Sequence, residues 1–418
     1  MIITELQQLY ATHPNVEGMC KLLKDDSVRH LYCSGLCASA ASLFSSVLVQ
    51  RAECPFVFIL GDLEEAGYFY HDLTQILGTG QVLFFPSSFR RAIKYGQKDA
   101  ANEILRTEVL SRLQKGEEGL CVVTYPDALA EKVVSRKELG DKTLKLHAGE
   151  KVDMDFVTEV LRSYGFEYVD YVYEPGQYAV RGSIIDVFSF SSEFPFRIDF
   201  FGDEVESIRT FEVESQLSKE KKEEIVIVPD LSRSWSKGEW WNGFFLGFSA
   251  ADTLLAMRDF LWLRERIQAV HDESLTAQAI AACEAEENGA ISLEGKLIDG
   301  GEFTLRALDF RRMEFGTKPT GTPDATVTFS TVAQPIFHKN FDLVAESFRD
   351  YLSRNYTLYI CSDSLKQTDR IRAIFEDRGD NISFTPVERT CTRVLPTIRC
   401  VSVSLPTTSF STVSINTT

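Results

Sequence analysis

The sequence predicts an α/β protein: a parallel α/β domain interrupted by an inserted α+β domain with an antiparallel sheet, then a partial third α/β domain. Three observations predict it. Over roughly the first 130 residues, short apolar runs alternate with amphipathic stretches, the rhythm of strand and helix in a parallel layer. Between Tyr173 and Ser218 the period shortens to two residues and is broken by Pro175-Gly176 and Gly202-Asp203, the chemistry of tight reversals in an antiparallel meander. Beyond residue 330 helix and strand patterns resume, with fewer strands than a full sheet wants. A chain of 418 residues holds about three domains.

Residues 1–134 open with a helix near Ile3 to Tyr10, a strand at VRHLYCSG, a helix at ASAASLFSSVLVQRA and a strand at PFVFILG. EEAGYFYHDLTQIL then reads as a helix, QVLFFP as a strand, AANEILRTEVLSRLQKG as an amphipathic helix closed by glycine, and LCVVTYP as a strand. In residues 135–226, KTLKLHAGEKV is strand-like. Asp153 caps a helix with the stripe Phe156, Val157, Val160, Leu161 and Tyr164, ending at Gly165. The meander follows. Alternation puts Phe194, Phe196, Ile198 and Phe200 on one face of a strand, with Arg197, Asp199 and Phe201 on the other.

The charged run SKEKKEE precedes IVIVP, a strand expected to rejoin the first domain because an isolated strand needs a sheet. Residues 227–330 are expected to complete that first domain. They hold Trp235, Trp240 and Trp241, read as packing aromatics, and a long helical stretch around RDFLWLRERIQAVHDESLTAQAIAACEAEENG. GTKPTGTPDA has the proline and glycine content of a linker. Residues 331–390 begin a third α/β domain through FDLVAESFRDYLSRN, TLYICS and LKQTDRIRAIFEDRG. Residues 391–418 contain no Asp, Glu or Lys and are almost half Ser or Thr, which reads as a disordered or frame-shifted tail.

Composition narrows the function. An apolar share of 44% and a charged share of 25% are those of a globular protein, with no apolar run long enough to span a membrane and no secretory leader at the N-terminus. A cytoplasmic location is expected. Nine scattered cysteines without a CxxC pair argue against a disulfide framework or a zinc site, and the CxxxC of Cys33 and Cys37 lacks companion ligands. A net charge of −17 opposes the phosphate backbone, so strong DNA binding by this chain is not expected.

A nucleotide-hydrolysing motor would carry GxxxxGK[ST] after its first strand, wrapping phosphates in backbone amides, a lysine and a magnesium-binding hydroxyl. CSGLCASAAS stands there instead. Gly35 is present, but Ala40 and Ala41 occupy the second glycine and lysine positions, so ATP binding is not expected. The acidic quartet DEVE at 203–206 sits in a hairpin turn rather than at the end of an apolar parallel strand. Neither HExxH nor GxSxG occurs, and the sequence offers no catalytic residue, metal ligand set or cofactor site. Arg181 and Arg197 have a plain reading as sheet-edge residues paired with Asp199 or Glu204. An arginine beside an outward phenylalanine is also the composition of an interface core. Alternation leaves open which face Arg181 shares, because Ile184 and Ile185 are both apolar.

EPGQYAVRGSIIDVF, PFRIDFFGDEVESIRTF and the SQ of VESQLS together resemble the interaction domain shared by the excinuclease protein UvrB and the transcription-repair coupling factors. CSGLCASAAS, FFPSSFRRAIKYG and QPIFHKNFDLV are similar to the N-terminal region of the coupling-factor family, with the likeness running in domain order over roughly residues 1–390. The resemblance implies a degenerate RecA-like domain that keeps a motor's shape without its ATPase. It also implies that Arg181, Arg197 and Phe201 stand at positions contacting UvrA, the damage-recognition component of the excinuclease, recruiting it where RNA polymerase has stalled in transcription-coupled nucleotide excision repair. In that family RNA polymerase and DNA are engaged by C-terminal domains, including an ATP-driven DNA translocase, which are not expected within these 418 residues. The rival expectation is an ATP-dependent, damage-verifying helicase of the excinuclease, like UvrB; a third is a scaffold without a repair role.

Overall fold

A computed structural model describes residues 2–36, 39–88, 100–141, 143–229, 243–274, 295–332, 340–362 and 365–388, and the backbone of 397–404 and 409–416. Trp235, Trp240, Trp241, most of the FFPSSFRRAIKYG segment, QPIFHK and the end of the long helical stretch lie outside the described residues. So does Cys37 of the CxxxC pair.

The first segment runs α1 (Ile3–Ala11), α2 (Pro14–Leu23), β1 (His30–Ser34), α3 (Ser39–Arg51), β2 (Phe56–Ile59), α4 (Leu63–Leu77), β3 (Val82–Phe84), α5 (Ala100–Lys115), β4 (Cys121–Thr124), α6 (Pro126–Ala130) and α7 (Arg136–Asp141). Its strands are buried on both faces, as strands covered by helices on each side must be. Capping is local and legible: the Asp62 carboxylate accepts from the Glu65 amide to start α4, and the His13 ring accepts from the Asn15 amide to start α2.

The insertion comprises β5 (Leu144–His147), α8 (Met154–Ser163), β6 (Glu167–Tyr168), β7 (Gln177–Arg181), β8 (Ile184–Val187), β9 (Phe196–Phe201), β10 (Glu204–Phe211), β11 (Ser218–Lys222) and β12 (Glu224–Ile227). Six strands form one sheet in the order β11-β10-β9-β8-β7-β6, antiparallel except for the edge pair β6/β7. Helix α8, capped by Asp153, buries Val157 and Leu161 against Tyr178, Ile185, Ile198 and Ile208 on the inner face of that sheet.

The IVIVP strand departs from its expected place. β12 does not enter the parallel sheet; it pairs antiparallel with β5, Ile225 opposite Leu146, so the strands that lead into and out of the insertion lie side by side. Alternation explains the choice. Ile225 and Ile227 enter the core of the insertion, while Val226 and Val228 pack into the core of the first domain. A strand apolar on both faces serves two cores at once.

Beyond it, a 3₁₀ turn at Phe245–Phe248 precedes β13 (Leu254–Met257), α9 (Phe260–Ser274), α10 (Gly300–Ala307), β14 (Arg311–Glu314) and β15 (Ala325–Thr328). These three strands join the first four in a seven-stranded parallel sheet, β15-β1-β14-β13-β2-β4-β3. The remaining elements are β16 (Ser330–Val332), α11 (Phe341–Ser353), β17 (Tyr356–Ser362), α12 (Leu365–Asp377), β18 (Thr385–Glu388), β19 (Thr397–Ser404) and β20 (Ser409–Asn416). They build a mixed five-stranded sheet, β16-β20-β19-β17-β18.

Two strands lie within the stretch expected to be a disordered or frame-shifted tail. TIRCVSVS and SFSTVSIN form a hairpin that pairs with β17. Their serines and threonines suggest disorder by composition, yet they alternate with Ile, Val and Phe at the two-residue period of a strand. Among the described residues no helix is long and apolar enough to cross a membrane.

Candidate functional site: the outward face of the inserted sheet

The two faces of the meander diverge sharply in chemistry. Tyr178, Ile185, Val187, Phe196, Ile198, Phe200, Val205 and Ile208 point inward and are buried. On the other face, register sets Ala179 opposite Asp186, Asp186 opposite Arg197, and Arg197 opposite Arg209, one polar row across four strands. The neighbouring row is Arg181, Ile184, Asp199 and Ser207. A small apolar cluster of Val172, Ala179, Phe188 and Phe211 covers part of this face.

Asp186 organises the row. Its side chain is 1% exposed and both of its oxygens accept from arginine. Arg197 donates through Nε to Oδ1 at 2.7 Å and through Nη2 to Oδ2 at 2.9 Å, a fork that matches the carboxylate plane. Arg181 donates through Nη2 to Oδ2. The Arg197 guanidinium is fixed further by the Gln216 backbone carbonyl at 3.1 Å and lies 4.5 Å from the Phe211 ring centre. That of Arg181 lies 5.0 Å from the Tyr171 ring centre. The hydrogen bond to Asp186 raises the pKa of Arg197, keeping an already permanent cation charged.

Exposure separates the three residues singled out in the sequence. Phe201, at the end of β9 beside the Gly202 turn, is 78% exposed. The Arg181 side chain is 38% exposed and that of Arg197 only 15%. Arg181 and Arg197 thus meet on one carboxylate, and Phe201 stands beyond Asp199 on the same outward face of β9. The plain pairing expected for the arginines does not occur: their partner is Asp186, and Asp199 is held by Arg209 and by the Ser207 hydroxyl at 2.7 Å. Sequence reasoning names neither Asp186 nor Tyr171 as a site residue, and carries Gln216 only within the SQ of VESQLS. An acid in the middle of the apolar run IIDVF was the available signal, but only strand register identifies its partners.

The phosphate-loop region is a second place to look for chemistry. Gly35 adopts φ +72°, and a Cβ there would sit 2.1 Å from the Phe329 carbonyl oxygen. The chain closes over it: the Phe329 amide donates to Ser34 O at 2.7 Å, and the Thr331 amide and hydroxyl donate to Gly35 O at 3.3 and 2.5 Å. The Phe329 ring packs 4.7 Å from that of Phe44. Ala40 and Ala41, in the first turn of α3, are buried and offer no cation. Among the described residues no three His, Cys, Asp or Glu side chains converge as metal ligands would.

Comparison with known proteins agrees with this architecture. Residues 144–232 match the family model of the UvrB interaction domain. That span opens at β5 and closes just after β12, the two paired strands that bound the insertion. The chain is also similar to the transcription-repair-coupling factor of Escherichia coli, 29% identical over 196 residues, and to that of Bacillus subtilis, 30% identical over 205 residues. These alignments cover 46% and 49% of this chain and 17% of each relative. A third, from Haemophilus influenzae, is 31% identical over 155 residues, covering 37% of this chain and 13% of the relative. The chain therefore spans less than a fifth of the length of the curated relatives it matches. The matched span carries the whole candidate surface, since Arg181, Asp186, Arg197 and Phe201 all lie within its bounds.

Proposed function

We propose that this chain is a recruiting module of a transcription-repair coupling factor, docking the excinuclease damage-recognition protein UvrA through the outward face of its UvrB interaction domain. The role is to bring UvrA to stalled RNA polymerase in transcription-coupled nucleotide excision repair. RNA polymerase and DNA would be engaged by other parts of such a protein. A cytoplasmic location goes with this role.

The exposure of Phe201 carries the reading. A phenylalanine left almost wholly in water at a strand end forgoes the burial energy that put Phe196 and Phe200 inside, about 25 cal/mol for each Å² it could have covered. Two strands away on the same outward face stands Arg181, whose guanidinium is held by Asp186 and Tyr171 and remains partly exposed. An aromatic with an oriented arginine is the usual anchor pair of a protein interface.

We also read this chain as having no ATPase of its own. Buried alanines stand where a phosphate lysine is required, and Phe329 closes over Gly35 where a γ-phosphate would need room. These features weigh against the helicase reading, and nucleotide binding separates the two: micromolar ATP affinity of the chain would favour the helicase.

The docking surface is tested by titrating purified UvrA against Arg181→Ala, Arg197→Ala and Phe201→Ala. Each should lose at least about 2 kcal/mol of binding energy, roughly thirtyfold in affinity. Arg181→Ala and Phe201→Ala should fold as the parent does. Arg197→Ala strips the main partner from a buried carboxylate, so its melting temperature belongs beside its affinity. Parental affinity in all three variants refutes the surface.

A further inference from the structure

We infer that Asp186, assisted by the Tyr171 ring, is the positioning residue of the docking surface: it makes no contact with the partner and acts by holding Arg181 and Arg197 in their binding orientation. The inference rests on the proposed UvrA-docking reading and adds how that surface is built.

Four observations carry it. Asp186 is 1% exposed, so a partner cannot reach it. Its two oxygens take three N–H groups from two different strands, Arg181 on β7 and Arg197 on β9, with Asp186 between them on β8. Long arginine side chains lose much rotamer entropy when a partner immobilises them, and a residue that orders them beforehand removes that cost from binding. Finally, Arg197 stands directly opposite Arg209 across the β9/β10 ladder, a like-charge juxtaposition unfavourable to a sheet. Asp186 on one side and Asp199 on the other neutralise it, which lets the face keep its cations. The partner chemistry that fits is an acidic surface, whose carboxylates meet the guanidinium edges that Asp186 does not occupy.

Tyr171 acts on Arg181 from the loop before β7. Its ring is 50% exposed, which makes it removable without opening the core.

The test is a double-mutant cycle read as UvrA affinity by calorimetry on the full chain, with thermal melting of each variant alongside. Asp186→Asn keeps the shape and removes the charge; it should weaken binding about tenfold. The same change in an Arg181→Ala/Arg197→Ala background should shift affinity by less than twofold, since no guanidinium remains to be oriented. Tyr171→Leu should weaken binding about threefold with an unchanged melting temperature. Equal losses from Asp186→Asn in both backgrounds would mean that it acts through general stability, and would overturn the inference. So would parental affinity in Asp186→Asn or Tyr171→Leu. If the Arg181→Ala/Arg197→Ala chain itself binds UvrA as the parent does, the docking reading fails, and that outcome is distinct from the others.

Discussion

Replacing Gly35 by alanine tests whether the closed-over phosphate loop is a built feature of the fold. Gly35 sits at φ +72°, where a residue with a Cβ pays about 1 kcal/mol. The added carbon would lie 2.1 Å from the Phe329 carbonyl oxygen, far inside van der Waals contact, so the 329–331 segment must move. Moving it breaks the hydrogen bonds that the Phe329 amide donates to Ser34 O at 2.7 Å and the Thr331 amide donates to Gly35 O at 3.3 Å. At about 1 kcal/mol each, with the backbone strain and some loss of Phe329 packing, the total is about 3 to 4 kcal/mol. At about 2 °C per kcal/mol for a domain of this size, that corresponds to a melting temperature lower by roughly 6 to 8 °C. Gly202→Ala is the control, because its φ is also positive, +62°, but a Cβ there meets nothing within 4 Å. It should lose only the backbone strain, about 1 kcal/mol. Calorimetric scans of the three chains at one pH decide the matter. A Gly35→Ala chain that melts within about 2 °C of the Gly202→Ala chain would refute the clash and the closure argued from it.

Further outcomes are expected from the same structure. Restoring the motif letters through Ala40→Gly and Ala41→Lys should give no ATP binding in a fluorescent-nucleotide titration, because Phe329 still covers Gly35; saturable micromolar binding would contradict this. Arg197→Ala should destabilise the chain by about 3 kcal/mol, since it leaves Asp186 buried without its main partner, whereas the half-exposed Arg181 should give under about 1 kcal/mol when replaced by alanine. Equal melting temperatures for the two variants would count against the assigned burial. His13 supplies a pH dependence. Burial lowers its pKa from the ordinary 6.5, so its contribution to stability is complete above about 6.5 and is lost as pH falls through the folded value. His13→Asn keeps an acceptor for the Asn15 amide without titrating, and should flatten the fall in melting temperature between pH 7 and 5. An unchanged slope would assign that fall to other groups.

Local pattern carried much of this protein. Alternating apolar runs and amphipathic helices announced the parallel layer, and Asp153, Gly165 and the Gly202 turn marked element ends where they stand. Residue spacing alone put Phe201 and Arg197 opposite Phe200 and Ile198, because successive side chains of any strand leave by opposite faces. The motif letters missing around Ala40 and Ala41 were equally plain, since the chemistry of phosphate binding names its residues. Strand partners were another matter. Nothing local tells IVIVP to pair with KLH of β5, or the serine-rich end to join β17, because a strand's neighbour is chosen by whichever edge and core the rest of the chain leaves open. The same holds for the site: Asp186 lies five residues from Arg181 and eleven from Arg197, and only the register of three strands turns those separations into one shared carboxylate. On β9 the sequence by itself determined which side chains face outward; tertiary structure alone decided the face of Arg181 and which side chains touch, because contact across a sheet depends on register and burial that no single strand encodes.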